Sequence, residues 1–280
     1  NCFMFIHETT PDDLDELERE LRLNQFRGGT AAVYMEPVGP ESGTTPITVE
    51  YVKGVERLCR KYGALLVFDE VVTGFRIGMA GAQGYFGVSP DLTIFGKVIA
   101  GGYPGAGGIG GKREYMKYLG AGLDSSGKKI HKALVGGTMT ANPLSCCAGY
   151  FTLEEIERTN ACQKAGQMGD RICAGLKELV KKHGLPFVVW NTGSICHLET
   201  VGTMHYQINW KKPWEIPAIL GETSVRQKEM EHMGAAYMAE GLVTLAGSRL
   251  YTSAAYTPKM IDQALACFDR VFENVAVKAD

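Results

Sequence analysis

The sequence predicts an α/β protein built on a mainly parallel sheet, and three observations carry that prediction. Short apolar runs at Ala31–Met35, Ala64–Phe68 and Leu92–Phe95 have the length and composition of buried strands. A helical repeat of Val49, Val52, Val55, Cys59 and Tyr62 separates the first two, and strand, helix, strand in that order makes a parallel unit. Each run stops at polar residues, Glu36, then Asp69 and Glu70, then Lys97. Open parallel sheets bind ligands at those carboxyl ends.

Taken in chain order, Thr10 as N-cap, Pro11 at the first helical position and Asp12 and Asp13 in the first turn open a helix. Its Leu14, Leu17 and Leu21 stripe is expected to rest on a sheet. The Ala31–Met35 strand ends at Glu36-Pro37, and a Gly/Pro-rich loop leads to Pro46. The next helix runs from Ile47 to Tyr62 with Gly63 at C′, and the strand after it stops at Asp69. Seven glycines fall within residues 101 to 111. Tyr103-Pro104, Ala106 and Ile109 interrupt them, so the stretch reads as backbone approaching a ligand or another strand closely, not as a linker. Helical patterns return from Asn142 through Leu179; Phe187–Trp190 and Ser194–Leu198 read as strands of a smaller sheet, and Pro258 to Val277 as a final helix packed on it. The expected organisation is a large domain over residues 1–160 and a smaller α+β domain over residues 161–280, with no internal repeat.

Composition narrows the class of partner. The chain has 280 residues, 45% hydrophobic and 21% charged, which supports a large core and excludes disorder. Its 29 basic and 31 acidic residues give a net charge of −2, no sign of a nucleic-acid or acidic-membrane partner, and the expected ligand is small. No apolar run reaches the roughly 18 residues of a membrane span, and the N-terminus has no signal-peptide pattern, so a cytoplasmic protein is expected. The eight Cys show no Cys-x-x-Cys spacing and read as reduced. His131, His197 and His205 lack metal-ligand spacing, so no metal site is expected.

Lys97, in Phe95-Gly96-Lys97-Val98-Ile99-Ala100, reads in two ways. It is a desolvated amine able to form a Schiff base, or a lysine snorkelling from a strand end. Asp69 is either an acid for chemistry or the cap of the next turn. Together they make a stronger case, because a pyridoxal phosphate enzyme needs an amine for the aldehyde and an acid to keep the pyridine nitrogen protonated.

The run Phe68-Asp69-Glu70-Val71-Val72-Thr73-Gly74-Phe75-Arg76, then Phe86-Gly87-Val88-Ser89-Pro90-Asp91-Leu92-Thr93, then Gly96-Lys97 and the glycine run resemble the class III aminotransferases of fold type I. The 28-residue separation of Asp69 and Lys97, and Gly136-Gly137-Thr138-Met139-Thr140-Ala141-Asn142-Pro143-Leu144, look like the glutamate-1-semialdehyde aminomutase branch. The resemblance implies pyridoxal 5′-phosphate bound as a Schiff base on Lys97, Asp69 on the pyridinium nitrogen and Val71 against one ring face. It implies Thr138, with Gly137, at the phosphate of the neighbouring subunit's cofactor, hence a homodimer; the other reading of Thr138 is a plain N-cap of the helix that follows. Glu36 belongs to the family's Glu-Pro motif and either orients loops or meets substrate. Glu41 lies near the position of an amide that meets the ring hydroxyl, and Val72 replaces a residue that is polar in many members. Arg249 is in the region that meets substrate in relatives, with a solvated surface arginine as the other reading. Trp210 and Trp214 have no counterpart in the family.

Family members carry a segment upstream of Asn1 that supplies a phosphate loop and a stacking aromatic, so the chain is expected to be the C-terminal part of a longer protein or one chain of a split enzyme. The expected partners are a small-molecule amino donor and a carbonyl acceptor. An aminotransferase leads; an aminomutase or racemase shares its motifs, and a non-catalytic half of a split enzyme is the alternative of another class.

Overall fold

The computed structural model describes residues 6–39, 45–120, 122–123, 126–129, 131–133, 136–202, 214, 216–245 and 247–275. The chain forms two compact units, one of residues 12–38 and 47–159, the other of residues 1–11, 39–46 and 160–280.

In the first unit, α1 (Leu14–Gln25) is capped by Asp13, whose carboxylate accepts from the Glu16 amide at 2.8 Å. Thr10 and Pro11 therefore precede the helix instead of opening it, because Asp13 reaches the first free amides directly. Leu17 and Leu21 are buried as expected, but α1 packs on the next helix and not on a sheet. That helix, α2 (Val49–Tyr62), is capped by Thr48 and closed by Gly63 in the left-handed conformation. Between the two lies β1 (Ala32–Met35), and after α2 comes β2 (Leu65–Glu70).

Helix α3 (Gly81–Phe86) and β3 (Leu92–Phe95) follow, then a single 3-10 turn over Lys97–Ala100. The glycine run ends as β4 (Gly108–Gly111), so its close approach is to another strand. The sheet order is β1-β2-β3-β4, with the first two pairings parallel and the last antiparallel. β1 has no second neighbour among the described residues, and its Ala32 and Tyr34 are exposed. A short helix α4 (Arg113–Met116) and α5 (Pro143–Thr159) complete the unit.

Asp91 holds the amino end of this sheet. Its carboxylate takes Arg60 through both oxygens at 2.9 Å, Lys112 at 2.6 Å and the Leu66 amide at 2.8 Å. Burial pushes this carboxyl up, but the Lys112, Leu66 and Arg60 contacts outweigh burial and hold it below the usual range.

In the second unit, α6 (Ala161–Lys182), α7 (Ile216–Ala239) and α8 (Pro258–Glu273) accompany the antiparallel sheet β5 (Val188–Thr192), β6 (Ile195–Glu199), β7 (Arg249–Tyr251). Asn160, with φ of 53°, separates α6 from the helix before it. Leu176, Leu198, Tyr237, Phe268 and Phe272 form the core, with the Tyr237 and Phe268 rings edge to face at 4.9 Å. Lys182 and His183 pair with Asp269 at 2.7 and 2.6 Å. The seven cysteines within the described residues are free thiols. Among the described residues, no helix is long and apolar enough to cross a membrane.

Candidate active site

The strand β2 ends in two adjacent carboxylates that point to opposite faces of the sheet. Glu70 is 1% exposed. It accepts from the Thr73 hydroxyl at 3.0 Å, the Ala82 amide at 2.6 Å, and the Gln83 amide and side chain at 3.3 and 3.1 Å. It thereby captures the start of α3. Gly81 allows this, since a Cβ there would lie 2.0 Å from Glu70 Oε2 and its φ is +57°.

Asp69, on the other face, is only half-buried. Its Oδ1 accepts from the Val71 amide at 2.9 Å, and its Oδ2 accepts from the Tyr34 phenol on the neighbouring strand. Tyr34 pairs in register with Val67, so Tyr34, Val67 and Asp69 share one face. Burial, then the bond to Asp69 and the charges of Asp69 and Glu36, push the Tyr34 phenol up to about 12. Glu36 follows β1 at the same end of the sheet and is half-buried.

Lys97 stands at the carboxyl end of β3, the strand beside β2. It opens the 3-10 turn with φ of +51°, a conformation that non-glycine residues adopt rarely and keep only where the surroundings impose it. The surroundings here are α5: a Cβ on Gly149 would lie 1.9 Å from the Ile99 carbonyl, so helix and turn meet backbone to backbone. The side chain of Lys97 is exposed, so of its two readings the amine desolvated among apolar residues does not hold; the strand ends at Phe95, and the turn sets residue 97 at the surface. Val71 sits against the residue before it, its Cγ1 3.1 Å from where a Gly96 Cβ would be.

The glycine run and the Thr138 motif are stitched together. Ala141 donates its amide to the Gly105 carbonyl at 2.9 Å, and the Ser145 hydroxyl donates to the Pro104 carbonyl at 2.6 Å. The cap of α5 is Asn142, which accepts from the Ser145 amide at 3.0 Å. Thr138 is therefore not the N-cap; it lies with Gly137 in an exposed turn just ahead of it. Glu41 is outside the described residues. Arg249 lies in the other unit, on β7 opposite His197, and is half-buried instead of solvated.

Asp69, Val71 and Lys97 thus gather at neighbouring strand ends, with Glu36 beside them and the exposed Gly137–Thr138 turn in the same unit. An acid with fixed oxygens, an accessible amine and a β-branched residue on a glycine are groups that suit pyridoxal phosphate. Sequence reasoning overlooked Tyr34 as a polar group. The signal was a phenol in an otherwise aliphatic strand, two residues before Glu36.

A mainly parallel sheet with an acid and a lysine at adjacent carboxyl ends is the architecture of the fold type I pyridoxal phosphate transferases. Solved structures share the fold: an omega-transaminase from Sphaerobacter thermophilus (24% identity, TM-score 0.75, covering 94% of this chain and 56% of that one) and the ornithine delta-aminotransferase of Plasmodium falciparum (25%, 0.73, covering 95% and 61%). The chain belongs to the class III aminotransferases, the Aminotransferase class-III family model matching residues 6–248. Among curated proteins it is 34% identical over 266 residues to glutamate-1-semialdehyde 2,1-aminomutase 2 of Brevibacillus brevis, covering 92% of this chain and 56% of that protein. It is 40% identical over 184 residues to glutamate-1-semialdehyde 2,1-aminomutase 1 of Staphylococcus epidermidis, covering 66% and 40%. The chain spans about half the length of the curated relatives it matches.

Proposed function

We propose that the protein transfers an amino group between an amine or amino acid and a carbonyl compound, with pyridoxal 5′-phosphate held covalently on Lys97. The observation that supports this most is the meeting of Asp69 and Lys97 at adjacent strand ends in a chain of this family. When bound, the cofactor supplies an aldehyde carbon and a ring that accepts electrons once protonated. Asp69 keeps the proton on the ring nitrogen, its carboxylate oriented by two donors. Val71 packs on one ring face. The Lys97 amine would hold the cofactor and would carry a proton to and from the substrate carbon. Gly137 and Thr138, exposed in their turn, would hold the phosphate of a second subunit's cofactor, which would make the working protein a homodimer; the cytoplasm is its proposed location. Glu36, at the same end of the sheet, would meet the substrate. The names of the curated relatives favour a second reading, transfer within one molecule.

The half-reaction tests both. Added to the full-length holoprotein, an amino donor is expected to bleach the visible band of the bound cofactor, and a carbonyl acceptor to restore it. Isomerisation of an amino aldehyde with no acceptor present would select the second reading. A band that no donor changes would overturn both.

A further inference from the structure

We infer that Tyr34 is a positioning residue for the amino-transfer chemistry, its phenol fixing the carboxylate of Asp69 from the neighbouring strand. The inference rests on the reading of Asp69 as the partner of the ring nitrogen. Asp69 has one donor on each oxygen, and the two come from independent parts of the chain. The Val71 amide at 2.9 Å belongs to the turn that follows Asp69 itself, so it moves with that turn. Tyr34 belongs to β1, and the parallel register Tyr34↔Val67 puts its ring on the Asp69 face, one pleat short of the carboxylate. A phenol spans that step, whereas an aliphatic side chain at position 34 would leave Oδ2 without this donor. Held from both sides, the carboxylate plane is set before a ring nitrogen arrives, which is the form of preorganisation an electrostatic partner needs. The Tyr34 phenol is pushed up to about 12, so it stays protonated and donates throughout the neutral range.

The test compares Tyr34→Phe, Tyr34→Leu and Asp69→Asn in the full-length holoprotein. Tyr34→Phe keeps the ring and loses only the hydroxyl. It is expected to lower kcat about tenfold with KM for the amino donor within about twofold, and to move the pH midpoint of the cofactor's visible band by about half a unit. Tyr34→Leu is expected to match it. A measurement without cofactor accompanies these: by carbon-13 tyrosine NMR of the apoprotein, the Tyr34 ring carbon should titrate at lower pH in Asp69→Asn than in the wild type, whether or not the Tyr34 variants fold. Wild-type kcat and band midpoint in Tyr34→Phe, with Asp69→Asn inactive, would overturn the inference alone. So would impairment in Tyr34→Leu but not in Tyr34→Phe, which would assign the effect to the ring. Full turnover in Asp69→Asn would overturn the reading of Asp69 and the inference with it.

Discussion

Asp69 and Glu70 are neighbours in sequence, identical in charge, and opposite in circumstance. Glu70 faces the side of the sheet covered by α3, is buried, and has four donors around it from Thr73, Ala82 and Gln83. Asp69 faces the more open side, where β2 alternates toward half-buried Leu65 and Asp69, and it has two donors. The difference teaches that strand parity and not residue type assigns the roles: one carboxylate spends its acceptor capacity on the fold, and the other keeps part of it for a ligand.

The largest expected effect comes from the amine that Asp69 is proposed to serve. Lys97→Ala should reduce turnover by about four orders of magnitude or more, since nucleophile and proton carrier go together. Steady-state kinetics at saturating pyridoxal phosphate measures it, and retention of one tenth of the activity would contradict the assignment. Next, Asp69→Asn should lower kcat about a thousandfold while leaving the thermal midpoint close to that of the wild type, because this side chain is half-open and its loss strands no buried donor.

Glu70→Ala should show the reverse pattern. It leaves the Ala82 amide, the Thr73 hydroxyl and Gln83 without their acceptor in a buried setting, at a cost of about 3 kcal/mol in denaturant unfolding. A Glu70 variant as stable as the wild type would break the comparison.

How legible these roles were in the sequence depended on how local their causes are. Helix α2 was plain because its stop, Gly63, directly follows the apolar repeat, while its cap, Thr48, went unread one residue inside the expected start at Ile47. Strand β3 was plain for the same reason, an apolar run between Asp91 and Gly96. The exposure of Ala32 and Tyr34 on β1 was not, since burial of an apolar run depends on what pairs beside it. The bond between Tyr34 and Asp69 joins residues 35 apart and exists only once the register Tyr34↔Val67 is set. Helix α7 went unread because its buried positions, Arg226, Met233 and Tyr237, have helical spacing but include a charge.

That arginine belongs to the other unit's counterpart of the Glu70 arrangement. Glu199 is fully buried, accepts from Arg226, and lies 3.0 Å from Nδ1 of His197, whose ring stacks on Trp190 at 4.1 Å. Burial first, then the charges of Arg249 and Arg226, push His197 down to about 4. The folded state therefore resists a proton that the unfolded chain accepts near 6.5. This stability is fully present above about 6.5, falls as the pH drops from there toward 4, and is lost below, a change of roughly 3 kcal/mol. Urea unfolding of the wild type and His197→Phe across pH 4 to 7 checks it: the variant's slope should be the shallower, and equal slopes would remove His197 from the account.

The central claim, that Lys97 holds the cofactor, is tested most directly by borohydride reduction of the pyridoxal phosphate-loaded full-length protein followed by peptide mass mapping. The account predicts a single reduced pyridoxyl adduct on Lys97, with the visible band abolished in the same reaction. An adduct on another lysine, or none while the band persists, would contradict it.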